Sequence, residues 1–322
     1  MEKFDRDILL RVREATVPFL HRTPLWRSKM LSDLTEHNVF LKCELFQKTG
    51  SYKPRGMLWA LKSLPEQERD KGVITFSAGN AAQGLAYAAA ILKAKAVVTM
   101  PETASPTKAK AAQDYGAEVI LRGTPTECLA HCRELAAERG YSMISSYDSL
   151  PLMQGHATLG LELVEDLPEA DAIFVGVGGG GMLGGLCLAM DAMGNGTRIV
   201  GVEPTGAPAM TESLQAGRAV NLDVVDTIAD GLAAPGAGQA CYEIARRRVE
   251  DMVLVSDPEI AEAMFSLMRY CKLYAEPAGA AALAGLLKHR HGLPRKSTVI
   301  CVVSGGNLDF DRLGALIAAH SK

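Results

Sequence analysis

The stretch AIFVGVGGGGMLGGLCLAMDAM, residues 172–193, indicates the fold class of this 322-residue chain. Its first six residues, AIFVGV, form a short apolar run that is typical of a buried strand, and a helical pattern starts at Met182. Four consecutive glycines, Gly178 to Gly181, lie between the two elements. A strand that turns directly into a helix is one βα unit, which predicts a parallel sheet covered by helices.

The same alternation extends in both directions from this stretch. Upstream, the predicted strands are 73–76, 96–100, 118–122 and 141–146, and the predicted helices are 81–93, 105–115 and 125–139. A further helix is predicted over 152–165, directly before this stretch. Downstream, the predicted strands are 197–204 and 297–303, and the predicted helices are 258–272 and 277–290. We therefore expect two open α/β domains with parallel sheets, a small one over 72–148 and a large one formed by 1–71 plus 149–322.

Composition excludes several classes of function. A formal net charge of -3 and a pI near 6.2 give no basic surface for nucleic acid, and 6% aromatic residues leave few stacking platforms. No uncharged apolar run is long enough to span a membrane. The seven cysteines form no CxxC pair, a usage that favours reduced thiols in a cytoplasmic protein.

The glycine run is best explained as a cradle for an anion, because backbone N–H groups at a helix N-terminus attract negative charge. Tight packing alone would be satisfied by one or two glycines. A dinucleotide is one alternative ligand: Gly176, Gly178 and Gly181 match GxGxxG, and Glu203 ends the next strand, where it could bind a ribose. This alternative would make the chain an NAD-dependent oxidoreductase, but it leaves the other polar turns without a role.

Lys53 favours a different phosphate ligand. It lies in GSYKPRG, a polar turn in which Pro54 and Gly56 are expected to resist regular structure. A lysine is usually a solvated surface charge, but beside a phosphate cradle its amine can form an imine with an aldehyde. Pyridoxal 5′-phosphate (PLP) carries both an aldehyde and a phosphate.

Six motifs, in this order along the chain, together resemble the fold-type II PLP enzymes of the serine/threonine dehydratase and serine racemase family. They are HRTPL (21–25), KTGSYKPRG (48–56), SAGNAAQG (77–84), VGGGGML (177–183), EPAGA (276–280) and VSGGN (303–307). The resemblance implies a tryptophan synthase β-like fold with PLP in the cleft between the two domains. It also implies a homodimer or homotetramer.

The resemblance assigns a role to each matching residue. Lys53 is similar to the Schiff-base lysine that also moves the substrate α-proton. Gly178, Gly179, Gly180 and Gly181, with the Met182 amide, resemble the phosphate loop. Asn80 resembles the partner of the cofactor 3′-hydroxyl, and Ser304 resembles the partner of the pyridine nitrogen. The residues that resemble the substrate carboxylate site are Ser77, Ala78, Gly79, Asn80 and Ala81.

These roles imply β-elimination from a small hydroxy amino acid such as L-threonine or L-serine, giving a 2-oxo acid and ammonia. A hydroxyl at the pyridine nitrogen makes the ring a weaker electron sink than a carboxylate would, which favours substrates with a β-leaving group. Other possible functions are a lyase acting on 3-hydroxyaspartate or a diamino acid, a β-replacing synthase, serine racemase, or a non-catalytic protein that keeps the fold.

Several residues depart from the family pattern. Ala78 stands where the racemases carry a proton-donating serine, which argues for a dehydratase. Ala81 replaces a common histidine, and His156 lies in QGHAT, where the usual sequence is GQGT. Glu203 matches a carboxylate that binds a divalent cation, magnesium or calcium, but the second acidic ligand is replaced by Ala209. A single carboxylate supplies fewer oxygen ligands than such a cation needs.

Overall fold

The computed structural model describes residues 4–320, and within this range β-strands alternate with α-helices along most of the chain. In chain order the strands are Leu25–Arg27 (β1), Asn38–Cys43 (β2), Val73–Phe76 (β3), Ala96–Met100 (β4), Glu118–Leu121 (β5), Ser142–Met143 (β6), Ala172–Gly176 (β7), Arg198–Pro204 (β8), Asp251–Val255 (β9) and Thr298–Val303 (β10).

The strands form two sheets. The larger sheet has the order β1-β2-β10-β7-β8-β9, and the smaller sheet has the order β5-β4-β3-β6. Only β1 runs antiparallel to its neighbour among the described strands; every other pair is parallel. The predicted α/β class with parallel sheets is confirmed.

Most of the helices connect consecutive strands. In chain order they are Arg6–Thr16 (α1), Lys29–Thr35 (α2), Lys53–Lys62 (α3), Glu66–Lys71 (α4), Asn80–Leu92 (α5), Pro106–Asp114 (α6), Pro125–Arg139 (α7), Leu150–Asp166 (α8), Gly181–Met193 (α9), Ala209–Ala216 (α10), Gln239–Arg248 (α11), Asp257–Ser266 (α12), Pro277–His289 (α13) and Phe310–His320 (α14). None of the described helices is long and apolar enough to cross a membrane.

The larger sheet is buried on both faces, which explains why its central strands are almost continuously apolar. Along β7, Phe174 belongs to a core cluster that includes residues of α12 and α13. Its neighbours Ile173 and Val175 belong to a second cluster, formed with α8 and α9 on the opposite face. Successive side chains of a strand point to opposite faces, so one strand serves both clusters.

The packing around the smaller sheet crosses the predicted domain boundary at residue 72. Met57, Leu58 and Leu61 of α3 share a buried cluster with Leu85 of α5 and Val98 of β4. The division into 1–71 plus 149–322 and 72–148 therefore stays a prediction. The core of the small unit contains side chains that the prediction assigns to the large one.

Candidate active site

Four polar or glycine-rich turns follow the carboxyl ends of parallel strands, the edge at which open α/β sheets bind ligands. A short 3-10 turn connects β2 to turn 48–56, and β3 leads directly into turn 77–84. The glycine run follows β7, and turn 303–307 follows β10. Each of the four stretches that the sequence singles out therefore follows the carboxyl end of a strand.

Three of these turns are joined by hydrogen bonds. The Tyr52 amide donates to the Ser304 carbonyl at 3.1 Å. The side-chain amide of Asn307 donates to the Thr49 carbonyl at 2.8 Å and to Asn80 Oδ1 at 2.7 Å. The contacts bring the segments of Lys53, Asn80 and Ser304 together, although these residues lie far apart in the sequence.

Lys53 is half-buried and begins helix α3, so the expectation that Pro54 and Gly56 would resist regular structure is wrong. Proline suits the first turn of a helix, where its missing N–H has no intrahelical partner anyway. Gly56 is needed because a Cβ atom there would overlap the His156 ring. Lys53 Nζ donates a hydrogen bond to the Ser146 carbonyl at 2.8 Å.

The glycine run opens helix α9. Gly180 is its N-cap residue and has a φ of 98°, a conformation that favours glycine. Within residues 4–320, the amides of Gly178, Gly179 and Gly180 donate no hydrogen bond to another protein group. Together with the free N–H groups of the first helical turn, they can receive an anion.

Packing also requires these glycines. A Cβ atom on Gly178 would lie 3.0 Å from the Leu232 Cα, and one on Gly181 would lie 2.8 Å from the Tyr147 carbonyl oxygen. On Gly179 it would overlap the Tyr147 ring. The expectation that packing alone needs only one or two glycines is therefore wrong, and Tyr147 is a neighbour of the loop that the sequence did not indicate.

The predicted substrate loop, Ser77 to Ala81, forms the N-terminus of helix α5. Asn80 is the first helical residue and Gly79 is the N-cap. The Gly79 amide donates to Ser77 Oγ at 3.2 Å, and Ala78 contributes only a methyl group. A Cβ atom on Gly79 would meet nothing within 4 Å, so there is open space beside this helix N-terminus. The dipole of helix α5 favours the binding of a carboxylate at this N-terminus.

Glu276 is a site residue whose role the sequence did not indicate, although the EPAGA motif contains it. Its side chain is 1% exposed, and its Oε1 accepts a hydrogen bond of 2.5 Å from Asn80 Nδ2. Its Oε2 is buried without a hydrogen-bond partner among the described residues. Burial raises the pKa of the Glu276 carboxyl to about 7.

His156 lies beside this site, near enough to Lys53 for the lysine charge to act on its ring. It is fully buried, and its ring centroid is 4.8 Å from that of Tyr52. Burial, helped by the positive charge of Lys53, lowers the pKa of His156 to about 3. The imidazole is therefore neutral at physiological pH.

Glu203 is fully buried, and both oxygens of its carboxyl group are bound by protein groups. Its oxygens accept hydrogen bonds from the Met210 amide at 2.7 Å and from the Thr211 amide at 2.9 Å, at the start of helix α10. These bonds engage the carboxyl group that the dinucleotide alternative assigns to the ribose, and so argue against that alternative. In the described part of the chain no three His, Cys, Asp or Glu residues cluster as metal ligands, so the cation remains an untested prediction.

A buried ionic network anchors the first turn of helix α3. The Arg55 guanidinium is 1% exposed and donates to both oxygens of Glu44 at 2.8 Å. It also donates to the two oxygens of Glu162 at 2.8 and 3.0 Å. Lys42 Nζ donates to Glu162 at 2.6 Å. The network fixes the position of the helix that carries Lys53.

The residues present fit PLP. Its aldehyde needs an amine, which Lys53 offers, and its phosphate needs a cradle of free amides, which Gly178 to Gly181 and Met182 offer. Its ring needs polar partners, which Asn80 and Ser304 can be. The buried, unpartnered oxygen of Glu276 independently indicates that a polar group binds here.

Comparison with known proteins agrees with this fit. Residues 17–305 match the family model described as "Pyridoxal-phosphate dependent enzyme". The catabolic L-threonine dehydratase of Staphylococcus aureus is 38% identical over 304 residues, covering 93% of this chain and 88% of the relative. The L-threo-3-hydroxyaspartate ammonia-lyase of a Pseudomonas species is 38% identical over 310 residues, covering 96% and 97%.

Solved structures show the same fold. The threonine deaminase of T.th. superimposes with a TM-score of 0.89 at 38% identity, covering 95% of this chain and 99% of the other. Maize serine racemase superimposes with a TM-score of 0.91 at 32% identity, covering 98% of both chains.

The fold, the site and the family match define the class: the chain belongs to the pyridoxal-phosphate dependent enzymes, and its cofactor is PLP. Within this class its similarity is to threonine dehydratases, ammonia-lyases and serine racemases of fold-type II, as the six motifs predict. The predicted fold, family and cofactor are confirmed.

Proposed function

We propose that this enzyme converts a small hydroxy amino acid, such as L-threonine or L-serine, into a 2-oxo acid and ammonia. The observation that carries the proposal is that the turns bearing Lys53, Asn80 and Ser304 are joined by direct hydrogen bonds at the carboxyl edge of the sheets. Relatives that are 38% identical over most of this chain are dehydratases and ammonia-lyases, which supports the same class of reaction.

Each residue has a task in this reaction. Lys53 binds the cofactor and then takes the α-proton of the substrate at Nζ. Gly178 to Gly181 and the Met182 amide hold the cofactor phosphate, and Asn80 and Ser304 hold its ring. The N-terminus of helix α5 holds the substrate carboxylate. When bound, PLP supplies the electron sink that makes the α-proton acidic.

Ser304 explains the preference for elimination. It offers a hydroxyl to the ring nitrogen, and in contrast to a carboxylate this group does not stabilise a positive charge there. Electron withdrawal by the ring is then weaker. A substrate with a β-hydroxyl would relieve the developing negative charge by losing that group as water, with the proton that Lys53 takes from the α-carbon, whereas a substrate without one could not.

Ala78 favours a dehydratase over a racemase, because its methyl group cannot donate a proton to the opposite face of the substrate. A 3-hydroxyaspartate lyase is the second candidate, since the Pseudomonas relative spans nearly the same length. A panel of L-serine, L-threonine, threo-3-hydroxyaspartate and 2,3-diaminopropionate, scored by ammonia and 2-oxo acid, tests the assignment. No ammonia from any of the four would contradict it, as would a D-amino acid as the main product.

The Lys53→Ala variant is the control for this panel. Borohydride should fix PLP to the peptide containing Lys53 in the wild type and to no peptide in the variant. We also propose that the enzyme is a cytoplasmic homodimer or homotetramer, for which light scattering is the test. Its seven cysteines are free, buried thiols, which suits a reducing compartment.

A further inference from the structure

Glu276 has a buried carboxyl group that the reaction above does not use. It is the N-cap residue of helix α13, but its side chain makes no capping hydrogen bond. Instead Oε1 accepts from Asn80 Nδ2 at 2.5 Å, and a Cβ atom on Gly305 would overlap the same oxygen. The carboxyl therefore lies between the Asn80 helix and the turn that carries Ser304.

The orientation of Asn80 depends on two opposite neighbours. Asn307 donates to its Oδ1 at 2.7 Å, which leaves its amide nitrogen to donate to Glu276. Glu276 Oε2 is buried and has no partner within the described residues. A buried polar atom without a partner is unfavourable unless a bound group supplies one.

We propose that Glu276 is a further binding residue of this site: one oxygen of its carboxyl group orients Asn80, and the other donates a hydrogen bond to the group bound beside Asn80. The proposal rests on the proposed function, because that function places the hydroxyl side of the cofactor ring against Asn80. To donate, Glu276 must carry a proton. No proton is transferred; the neutral acid acts only as a hydrogen-bond donor.

The charges around Glu276 are compatible with a neutral acid near pH 7. Burial raises its pKa, the positive charge of Lys108 opposes this, and Asp230 reinforces it. The hydrogen bond from Asn80 and the charge of Arg312 also lower the pKa. Lys108 and Arg312 are both bound to Asp230, at 2.7 and 3.0 Å, so Asp230 compensates one of these two positive charges locally.

The test compares wild type with Glu276→Gln, whose amide keeps the shape and can donate at every pH. PLP affinity of the apoenzyme is measured between pH 5.5 and 8.5 by visible absorbance. Because PLP itself titrates in this range, the relevant quantity is the affinity ratio of wild type to variant at each pH. We expect this ratio to fall about tenfold from pH 6 to pH 8, as wild type loses the donor.

Asn307→Ala is the matched control, because it disturbs Asn80 from the other side without removing a titratable group. Its affinity should be lower than that of wild type by the same factor at every pH. A wild-type to Glu276→Gln ratio that does not change with pH would overturn the proposal. The proposal would also be overturned if the ratio of wild-type to Asn307→Ala affinity changed with pH in the same way, because the titrating group would then be another residue.

A second measurement needs no cofactor. The raised pKa means that folded apoenzyme binds this proton more tightly than the unfolded chain, so stability falls as pH rises from about 4.5 to about 7. Glu276→Gln should remove this part of the fall in unfolding midpoint, and an unchanged profile would contradict the proposal.

If wild type binds no PLP, the proposed function fails, whereas the stability measurement still tests Glu276. If Glu276→Gln does not fold, Glu276→Asp replaces it: the shorter acid should bind PLP more weakly than wild type, and equal affinity would contradict the proposal.

Discussion

Replacing Arg55 by methionine should destabilise the enzyme more than the loss of any exposed ion pair would. The change removes two hydrogen bonds from Glu44 and two from Glu162, all between 2.8 and 3.0 Å. Lys42 remains bound to Glu162, so Glu44 is the carboxyl group that is left buried without a cation in contact. Breaking a buried ion pair in this way costs about 3–5 kcal/mol of unfolding free energy.

The directions of the pKa shifts favour the charged forms of Arg55 and Glu162. Burial alone would raise the pKa of Glu162, but the charges of Arg55 and Lys42 lower it overall. Likewise, burial opposes the charge on Arg55, but Glu44 and Glu162 raise its pKa. Removal of Arg55 would therefore leave buried carboxyl groups without their central cation.

The assay is urea unfolding of the apoenzyme, followed by circular dichroism. Arg13→Met is the matched control, since Arg13 is 39% exposed and contacts Glu165 at 2.5 Å on the surface. An exposed pair contributes about 0–1 kcal/mol, so the control should stay close to wild type. Equal losses for the two variants, both under about 1 kcal/mol, would refute the reasoning. PLP retention should also drop in Arg55→Met, because α3 carries Lys53.

Three further predictions concern the site. Lys53→Ala should lower ammonia release from L-serine or L-threonine by about 10²–10⁴-fold or more, measured with PLP in excess; near-normal turnover would place the base elsewhere. Gly179→Ala should lower the apoenzyme melting temperature and PLP affinity, because the new methyl overlaps Tyr147, at a cost of about 1–3 kcal/mol. Gly196→Ala, where a Cβ meets nothing within 4 Å, should change neither, and similar losses in the two would contradict the packing argument. His156 has a pKa lowered from 6.5 to about 3, so the stability that it contributes is present above 6.5 and lost as pH falls. Between pH 7.5 and 5 wild type should lose about 2 kcal/mol that His156→Leu does not lose, measured by urea unfolding; parallel profiles would show that His156 is charged or exposed.

The sequence predicted elements best where the local pattern was strong. Strands β3 and β4 and helix α7 begin and end at the predicted residues. Strand β2 was missed because Asn38 and Lys42 interrupt its apolar pattern. Lys42 is nevertheless fully buried, because Glu162 neutralises it from 120 positions away. Such a partner cannot be identified from local periodicity.

The same limit applies to the site. Lys53, Asn80 and Ser304 lie in recognisable motifs, and the structure brings their turns together. Glu276 lies in a motif as well, but its task depends on the contact with Asn80, 196 positions away. The Tyr147 contact with the glycine run likewise arises only when α8 and α9 pack together. Local sequence can predict which residues bear the chemistry, but long-range packing determines how they are held.

The side-chain amide of Asn307 donates two hydrogen bonds, and this has a consequence for the maturation of the newly synthesised enzyme. Because this one amide ties Thr49 to Asn80, a nascent chain on the ribosome that has not yet reached Asn307 lacks the tie. Contacts over such sequence distances require the closure of long loops, and this entropy cost makes them slow to form. We therefore expect the yellow colour of the bound cofactor to develop as one of the last events of maturation. PLP would then bind only fully folded molecules, and this binding would stabilise them against unfolding.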